Sequence, residues 1–342
     1  MTEEAHGPES DVLVVLMPIY DDWDSATVLV DRVHRALHDL PVHAEFLLVD
    51  DGSTIEPPTH WPRSPRGLVR TARGPAHPPR VDVLRLRRNL GHQRAIAIGI
   101  SYVREHRPCL GAVVMDGDGE DSADGVFKLV ERFLQHDGAM TVFARRARRT
   151  EGATFKLSYL LFKAVHRILT GHTVRVGNFS VIPARHIERL VAVSELWNHY
   201  AASVYKARLP FDTVPIDRDR RIAGQSRMNF VSLLAHGLSA ISVFADVVGL
   251  RMLLATFTLG FLAFAGMVAV AGIRLTTDLA IPGWATTATG VLIIILLQAF
   301  LMAFVFVFIT LQSRNSSGFL PIRDYAHFVH RVDRVPTDVE RV

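Results

Sequence analysis

The residues most able to do chemistry are Asp116-Gly117-Asp118-Gly119-Glu120-Asp121, which carry four carboxylates directly after the apolar run Gly111 to Met115. Carboxylates two positions apart on extended backbone point to the same side, so Asp116 and Asp118 can share one hard divalent cation. Mg²⁺ or Mn²⁺ held there binds phosphate oxygens and neutralises the charge of a departing diphosphate. Gly117 lets backbone and diphosphate approach closely. A solvated acidic turn or a calcium loop has a similar composition, but the full EF-hand spacing is absent and a preceding strand is wrong for it. Asp50-Asp51-Gly52-Ser53 also follows an apolar run. Carboxylates there can take ribose hydroxyls or a base edge, although Asp-Gly is equally an ordinary turn pair.

These clusters need a scaffold, and the hydrophobic pattern supplies one. Strands are expected at 12–17, 46–49, 81–86, 111–115 and 141–144, with helices at 24–39, 91–104 and 126–134 between them. The Pro- and Arg-rich stretch 54–80 has no periodicity and reads as a surface insertion. Alternating strands and helices predict an α/β fold with a doubly wound, mostly parallel sheet, Rossmann-like in its nucleotide-binding layout. Such sheets bind ligands at the carboxyl ends of their strands. The polar clusters at Tyr20-Asp21-Asp22, Asp50-Asp51, 116–121 and Arg145–Arg149 stand at those ends.

The chain has 342 residues, 49% hydrophobic and 21% charged, with a formal net charge of +4. Mean hydropathy is +0.20 and the pI about 9.4. The apolar excess is concentrated: 247–273 carries one charge, Arg251, and 288–311 carries none. A bilayer span needs about 20 mostly apolar residues, so two C-terminal transmembrane helices are expected. Arg314, Arg323, Arg331, Arg334 and Arg341 follow the second span, whereas the loop between spans has Arg274 balanced by Asp278. The positive-inside bias then predicts a multi-pass protein of the cytoplasmic (inner) membrane, with both termini inside. The expected organisation is a cytoplasmic domain over 1–229, an amphipathic membrane-surface helix over 230–246, two spans with a short external loop over 247–313, and a cytoplasmic tail over 314–342. Residues 155–170 form a further amphipathic helix, placed either in the core or at the membrane surface. Gly260 and Gly266 could support helix packing, and with it a homo-oligomer. Cys109 is the single cysteine, so no intramolecular disulfide or cysteine-rich zinc site is available. The acidic start, MTEEAHGPESD, is unlike a signal peptide. Nucleic acid is a poor partner, because no aromatic-basic interleaving stands out.

Taken in order, Pro18-Ile19-Tyr20, Asp50-Asp51-Gly52-Ser53, Arg88-Asn89-Leu90-Gly91-His92-Gln93 and Asp116-x-Asp118 resemble the signature of family-2 glycosyltransferases. The dolichol- and polyprenyl-phosphate mannose and glucose synthases are the most similar branch. Gly177-Asn178-Phe179-Ser180 looks like that family's acceptor-side strand, and Arg221-Ile222-Ala223-Gly224-Gln225-Ser226-Arg227 is similar to its Arg-x-x-Gly-x-Ser-Lys element. The resemblance covers roughly residues 11–312 and implies a GT-A-like fold. It also implies a nucleotide-sugar donor, a polyprenyl phosphate acceptor and Mg²⁺ or Mn²⁺ as cofactor. By it, Pro18, Tyr20, Asp22, Asp50, Asp51 and Gly117 line the donor pocket. Asp116, Asp118 and Glu120 face the metal and diphosphate, with Asp121 beside them. Arg145 and Arg148 join Arg221 and Arg227 as phosphate-binding groups, the last two on the acceptor side. Arg88 and Arg94 are weaker candidates, and His92 reads as a helix-start or packing residue. Glu120 stands where the family has glutamine, Asp22 where it often has Glu, and Arg227 where it has Lys. These departures bear on the donor sugar.

The expected chemistry follows from the acceptor. A lipid phosphate is already an anion, so it attacks the anomeric carbon without a strong base, and positioning and leaving-group stabilisation carry the rate. Single displacement inverts the anomeric configuration. A hydroxyl acceptor would need a carboxylate base, with Asp121 or Glu120 as the candidate. A third possibility is a non-catalytic membrane module that binds nucleotide-sugars. The Gln-x-x-Arg-Trp motif of processive synthases is absent.

Overall fold

A computed structural model describes residues 11–57, 70–71, 74–75, 79–146, 164–165, 167–171, 176–223, 237–277, 283–315 and 318–335. It forms two compact units: residues 1–152, 174–243 and 319–342, and residues 153–173 and 244–318.

The first unit is built on an eight-stranded sheet. In chain order the strands are β1 (Val12–Ile19), β2 (His43–Asp50), β3 (Arg70–Thr71), β4 (Gly74–Pro75), β5 (Arg80–Leu86), β6 (Gly111–Val114), β7 (Thr141–Arg146), β8 (Ser180–Pro183), β9 (Phe211–Ile216) and β10 (Val329–Val335). Strands β3 and β4 pair only with each other, and the main sheet runs β10-β5-β2-β1-β6-β8-β7-β9. Strand β8 is antiparallel to both its neighbours and β10 is antiparallel to β5, while the β5-β2-β1-β6 core and the β7–β9 pair are parallel. The doubly wound, mostly parallel sheet expected from the pattern is the one observed.

Strand β1 explains why. Its side chains alternate between two cores, Leu13, Val15, Met17 and Ile19 on one face and Val14 and Leu16 on the other. A central strand buried on both faces reads as a continuous apolar run. Each such Leu or Val contributes about 1.5–3 kcal/mol of burial. Helices α1 (Trp23–Leu37) and α3 (Ala123–Gln135) cover the first face and α2 (His92–His106) the second. The helix α3 starts at Ser122, whose Oγ accepts from Gly125 N at 3.1 Å, an N-cap that satisfies an otherwise orphaned donor.

Residues 329–335 lie in the stretch read from the sequence as a tail, and they form strand β10 at the sheet edge. Just upstream, Tyr325 is buried and its hydroxyl donates to Glu105 at 2.9 Å. Phe319 stacks on Trp197 with centroids 3.7 Å apart. A charged, short segment gives no strand period by itself; its partner β5 supplies the pairing.

The second unit has two 32-residue helices, Ala245–Thr276 and Trp284–Asn315. Both are long and apolar enough to cross a membrane. Their apolar side chains are not core: Phe261 is 70% exposed and Phe300 74%, whereas a buried core helix would hide such groups. The two helices pack on each other through small residues. Gly260 faces Leu296 and Ala299, and Gly266 faces Leu292. The two glycines expected to support helix packing thus do so within the chain. Arg251, the one charge within 247–273, donates to Ile168 O at 2.6 Å and so caps carbonyls at the end of the segment Arg167–Thr170. Most of the amphipathic stretch 155–170 and the first part of 230–246 lie outside the described residues.

Candidate active site

Chain order reverses at β1, with β2 and β5 on one side and β6 on the other. The crevice at the carboxyl ends of β1 and β6 is the switch point where doubly wound sheets bind ligands. Pro18, Tyr20 and Asp22 come off β1, Asp50 and Asp51 off β2, and the loop 116–121 off β6.

On the β2 side, backbone groups consume much of the acid. Asp51 is buried, and its two carboxylate oxygens accept from Leu90 N at 2.7 Å and Gly91 N at 2.8 Å. Burial raises its pKa, and those two hydrogen bonds oppose the rise. Asp51 therefore pins the 88–91 loop onto the end of β2. Gly52 makes that contact possible: it has φ +74°, and a Cβ there would sit 2.7 Å from Asn89 N. Asp50 Oδ1 accepts from Ser53 N at 2.8 Å. Asp21, at φ 60°, accepts from Thr54 N at 2.7 Å and Ile55 N at 3.1 Å, which ties the β1 and β2 loops together. Asp22 occupies the N-cap position of α1.

The loop after β6 folds on its own carboxylates. Asp121 Oδ2 accepts from Asp116 N at 2.9 Å, and Asp118 Oδ1 from Glu120 N at 2.9 Å. The space a Cβ would need at Gly117 is filled by Ile19 Cδ1, 2.3 Å from that point. Packing against β1 is thus the first use of this glycine, ahead of any access for phosphate.

Cationic side chains surround the loop. Arg221 Nη2 lies 2.6 Å from Asp118 Oδ2, and Arg218 pairs with Glu120. Asp118 has a raised pKa because of burial and the charge of Asp116, opposed by Arg221, Arg218 and His92. His92 Nε2 is 3.1 Å from Asp116 Oδ1 and 3.1 Å from Asn178 Nδ2. One nitrogen cannot serve both: protonated it donates to Asp116, and unprotonated it accepts from Asn178. Burial works against the charged ring, but the charge and hydrogen bond of Asp116 outweigh it and the pKa is raised. Gln93 completes the row, donating from Nε2 to Asn178 Oδ1 at 3.2 Å and accepting from Tyr200 N at 2.8 Å.

The structure thus brings together Asp116, Asp118, Glu120, Asp121 and Arg221. Arg145 stands exposed at the end of β7. Arg148 and Arg227 lie outside the described residues. His92, Gln93, Asn178 and Arg218 were not singled out as site residues by sequence reasoning. The first three sit inside quoted motifs, so proximity to the site was legible; Arg218 has only a run of alternating charge to mark it.

A hard divalent cation suits this donor set, because every group offered is a carboxylate oxygen and two guanidinium groups already gather on them. Among the described residues, no three such groups converge on one point without rearrangement. Asp118 and Glu120 must turn from their arginines to coordinate.

Comparison with known proteins gives the site its family. The model described as Glycosyl transferase family 2 matches residues 14–191, from β1 through the short helix Ala184–Leu190. The chain is 23% identical over 279 residues to the uncharacterized glycosyltransferase YkcC of Bacillus subtilis (strain 168), covering 80% of each. It is 26% identical over 231 residues to the undecaprenyl-phosphate 4-deoxy-4-formamido-L-arabinose transferase of Photorhabdus laumondii subsp. laumondii, covering 64% of each. Among solved structures, glucosyl-3-phosphoglycerate synthase from Mycobacterium tuberculosis in complex with Mn²⁺, UDP and glucosyl-3-phosphoglycerate superposes with TM-score 0.44 at 16% identity, over 70% of this chain and 80% of that one. With the family model spanning more than half its length, this chain belongs to glycosyl transferase family 2.

Proposed function

We propose that this protein transfers a sugar from a UDP- or GDP-linked donor to a membrane polyprenyl phosphate, with inversion and with Mg²⁺ or Mn²⁺. The observation that carries the reading is the route of the chain. It leaves the catalytic sheet, runs through two lipid-compatible helices, and returns to the same sheet as β10. Both helix ends joined to the sheet therefore lie on one side of the membrane, as a hairpin requires. The arginines after the second span support a cytoplasmic position for that side. A lipid acceptor suits an enzyme held in this way, and a relative at 26% identity carries an undecaprenyl-phosphate transferase name.

In this reading Asp116, Asp118 and Glu120 hold the cation, which neutralises the donor diphosphate when bound. Asp50 and the loop pinned by Asp51 receive the nucleoside, with Pro18, Tyr20 and Asp22 beside them. Arg145, Arg148, Arg221 and Arg227 bind phosphates of donor and acceptor. His92 orients Asp116, and Gln93 and Asn178 orient His92. A hydroxyl acceptor would need a free carboxylate base. Against it, Asp121 accepts from its own loop and Glu120 is paired with Arg218.

The test is transfer by the purified full chain from labelled UDP- and GDP-sugars to polyprenyl phosphate. A metal-dependent, acid-labile glycolipid is expected, reduced at least ~100-fold in Asp118→Asn, the scale of losing an electrostatic stabiliser of the transition state. Donor binding without transfer to lipid phosphate would move the acceptor to a hydroxyl. No donor binding at all would leave a non-catalytic module.

A further inference from the structure

The segment 217–223 leaves β9 and lies across the acidic loop. Two backbone hydrogen bonds set its register: Asp219 N donates to Glu120 O at 3.0 Å and Ile222 N to Asp118 O at 3.0 Å. Ile222 fills the space that a Cβ on Gly119 would need, its Cγ1 2.4 Å from that point, and Gly119 holds φ +91°. The side chains finish the contact. Arg221 reaches Asp118 Oδ2 at 2.6 Å and stands 3.9 Å from Glu120 Oε1, while Arg218 pairs with Glu120 Oε2. The two carboxylates best placed for a cation are therefore already held by two guanidinium groups on a registered strap.

We propose that this strap is a cation-exchange device: Arg218 and Arg221 neutralise Glu120 and Asp118 until the divalent ion and donor diphosphate arrive together, and then hand those carboxylates to the ion. The inference rests on the reading of the 116–121 loop as the metal and diphosphate site. Its physical basis is charge. Four acids within six residues repel one another, so a partly buried loop of this kind requires counter-charge at every stage. A guanidinium and a divalent ion compete for the same lone pairs, so the strap weakens binding of the ion alone. When the ion comes with a diphosphate, the displaced arginines gain phosphate oxygens as new partners, geometry to which the planar fork is suited. Exchange then makes ion and nucleotide bind cooperatively, each raising the affinity of the other by the same factor. Arg218 is thereby a positioning and specificity residue: it disfavours capture of the ion without its nucleotide.

Mn²⁺ binding to the detergent-solubilised full chain, read by the electron paramagnetic resonance signal of the free ion, tests this without any turnover. Without nucleotide, Arg218→Gln should bind Mn²⁺ about 10-fold more tightly than the wild type, on the scale of a removed competing ion pair. Arg218→Lys, which keeps the charge, should stay near the wild type. UDP or GDP, whichever binds, should tighten Mn²⁺ in the wild type by more than it does in Arg218→Gln. Equal Mn²⁺ affinity in wild type and Arg218→Gln overturns the strap, as does an equal gain in Arg218→Lys. Asp118→Asn separates the two readings. If Asp118→Asn loses Mn²⁺ binding while Arg218→Gln gains nothing, the strap falls and the metal site stands. If Asp118→Asn binds Mn²⁺ as the wild type does, the metal site itself falls.

Discussion

Asp50 and Asp51 are sequence neighbours with different fates. Asp51 spends both oxygens on the Leu90 and Gly91 amides, whereas the structure commits Asp50 Oδ1 to Ser53 N only. Replacing Asp51 with Ala strands two buried donors, each worth roughly 1–3 kcal/mol; thermal unfolding of Asp51→Ala should show a loss of that order. Gly52→Ala meets both a left-handed φ and the Asn89 backbone, so a destabilisation above ~1 kcal/mol is expected from the same measurement. His186 gives a pH signature. It is buried beside Thr141 Oγ1 at 2.9 Å, and burial with the nearby charges of Arg185 and Arg189 lowers its pKa from 6.5 to about 4. The folded state then binds its proton less readily than the unfolded state. The stability it protects is intact above pH 6.5 and declines as the pH falls from 6.5 toward 4. Denaturant unfolding at pH 7 and pH 5 should differ by on the order of 1–2 kcal/mol from this group, and His186→Gln should shrink that difference. An unchanged difference would assign it elsewhere.

Among the elements, β10 has the widest consequence. Its antiparallel pairing with β5 covers what would otherwise be an open parallel edge. Asp333 forms an ion pair with Arg85 at 2.8 Å, and Arg85 in turn pairs with Glu56 at 2.7 Å on the loop after β2. The strand that follows the two apolar helices thus braces the end of the sheet that carries the loop after β2. A chain ending at Phe328 should lose roughly 2–4 kcal/mol, from the buried Val335 side chain and the exposed β5 edge. Its unfolding temperature would be the check, and an unchanged value would mean β10 is dispensable. The first five strands of the main sheet and their three helices were legible because each carries its own period. Strands β8, β9 and β10 were not read from a period of their own; their pairing with β6, β7 and β5 sets them in the sheet.

For the molecule, the proposed hairpin makes a topological prediction: with both helix ends on the side of the sheet, the residues between the two apolar helices are expected across the membrane from it. Burial pushes the Cys109 thiol up to about 11, and as the single cysteine it is replaced by Ser for the test. A cysteine introduced at Thr277, the C-cap of the first span, should react in intact cells with a membrane-impermeant maleimide. One at Arg331 should react only after lysis. Labelling of both from outside, or of Arg331 alone, would invert or abolish the hairpin.

The sequence by itself determined the class of fold, the two apolar spans and the order of acidic clusters along the chain. Each of these follows from local hydrophobic period or from neighbouring residues, which a linear reading can see. The tertiary structure decided which acids are spent on backbone amides and which face cationic side chains. It also decided that Gly260 and Gly266 serve the chain's own helix pair, and that Arg218, about one hundred residues downstream, sits on Glu120. Contacts between distant segments depend on how strands are ordered in the sheet, and strand order leaves no period in the sequence.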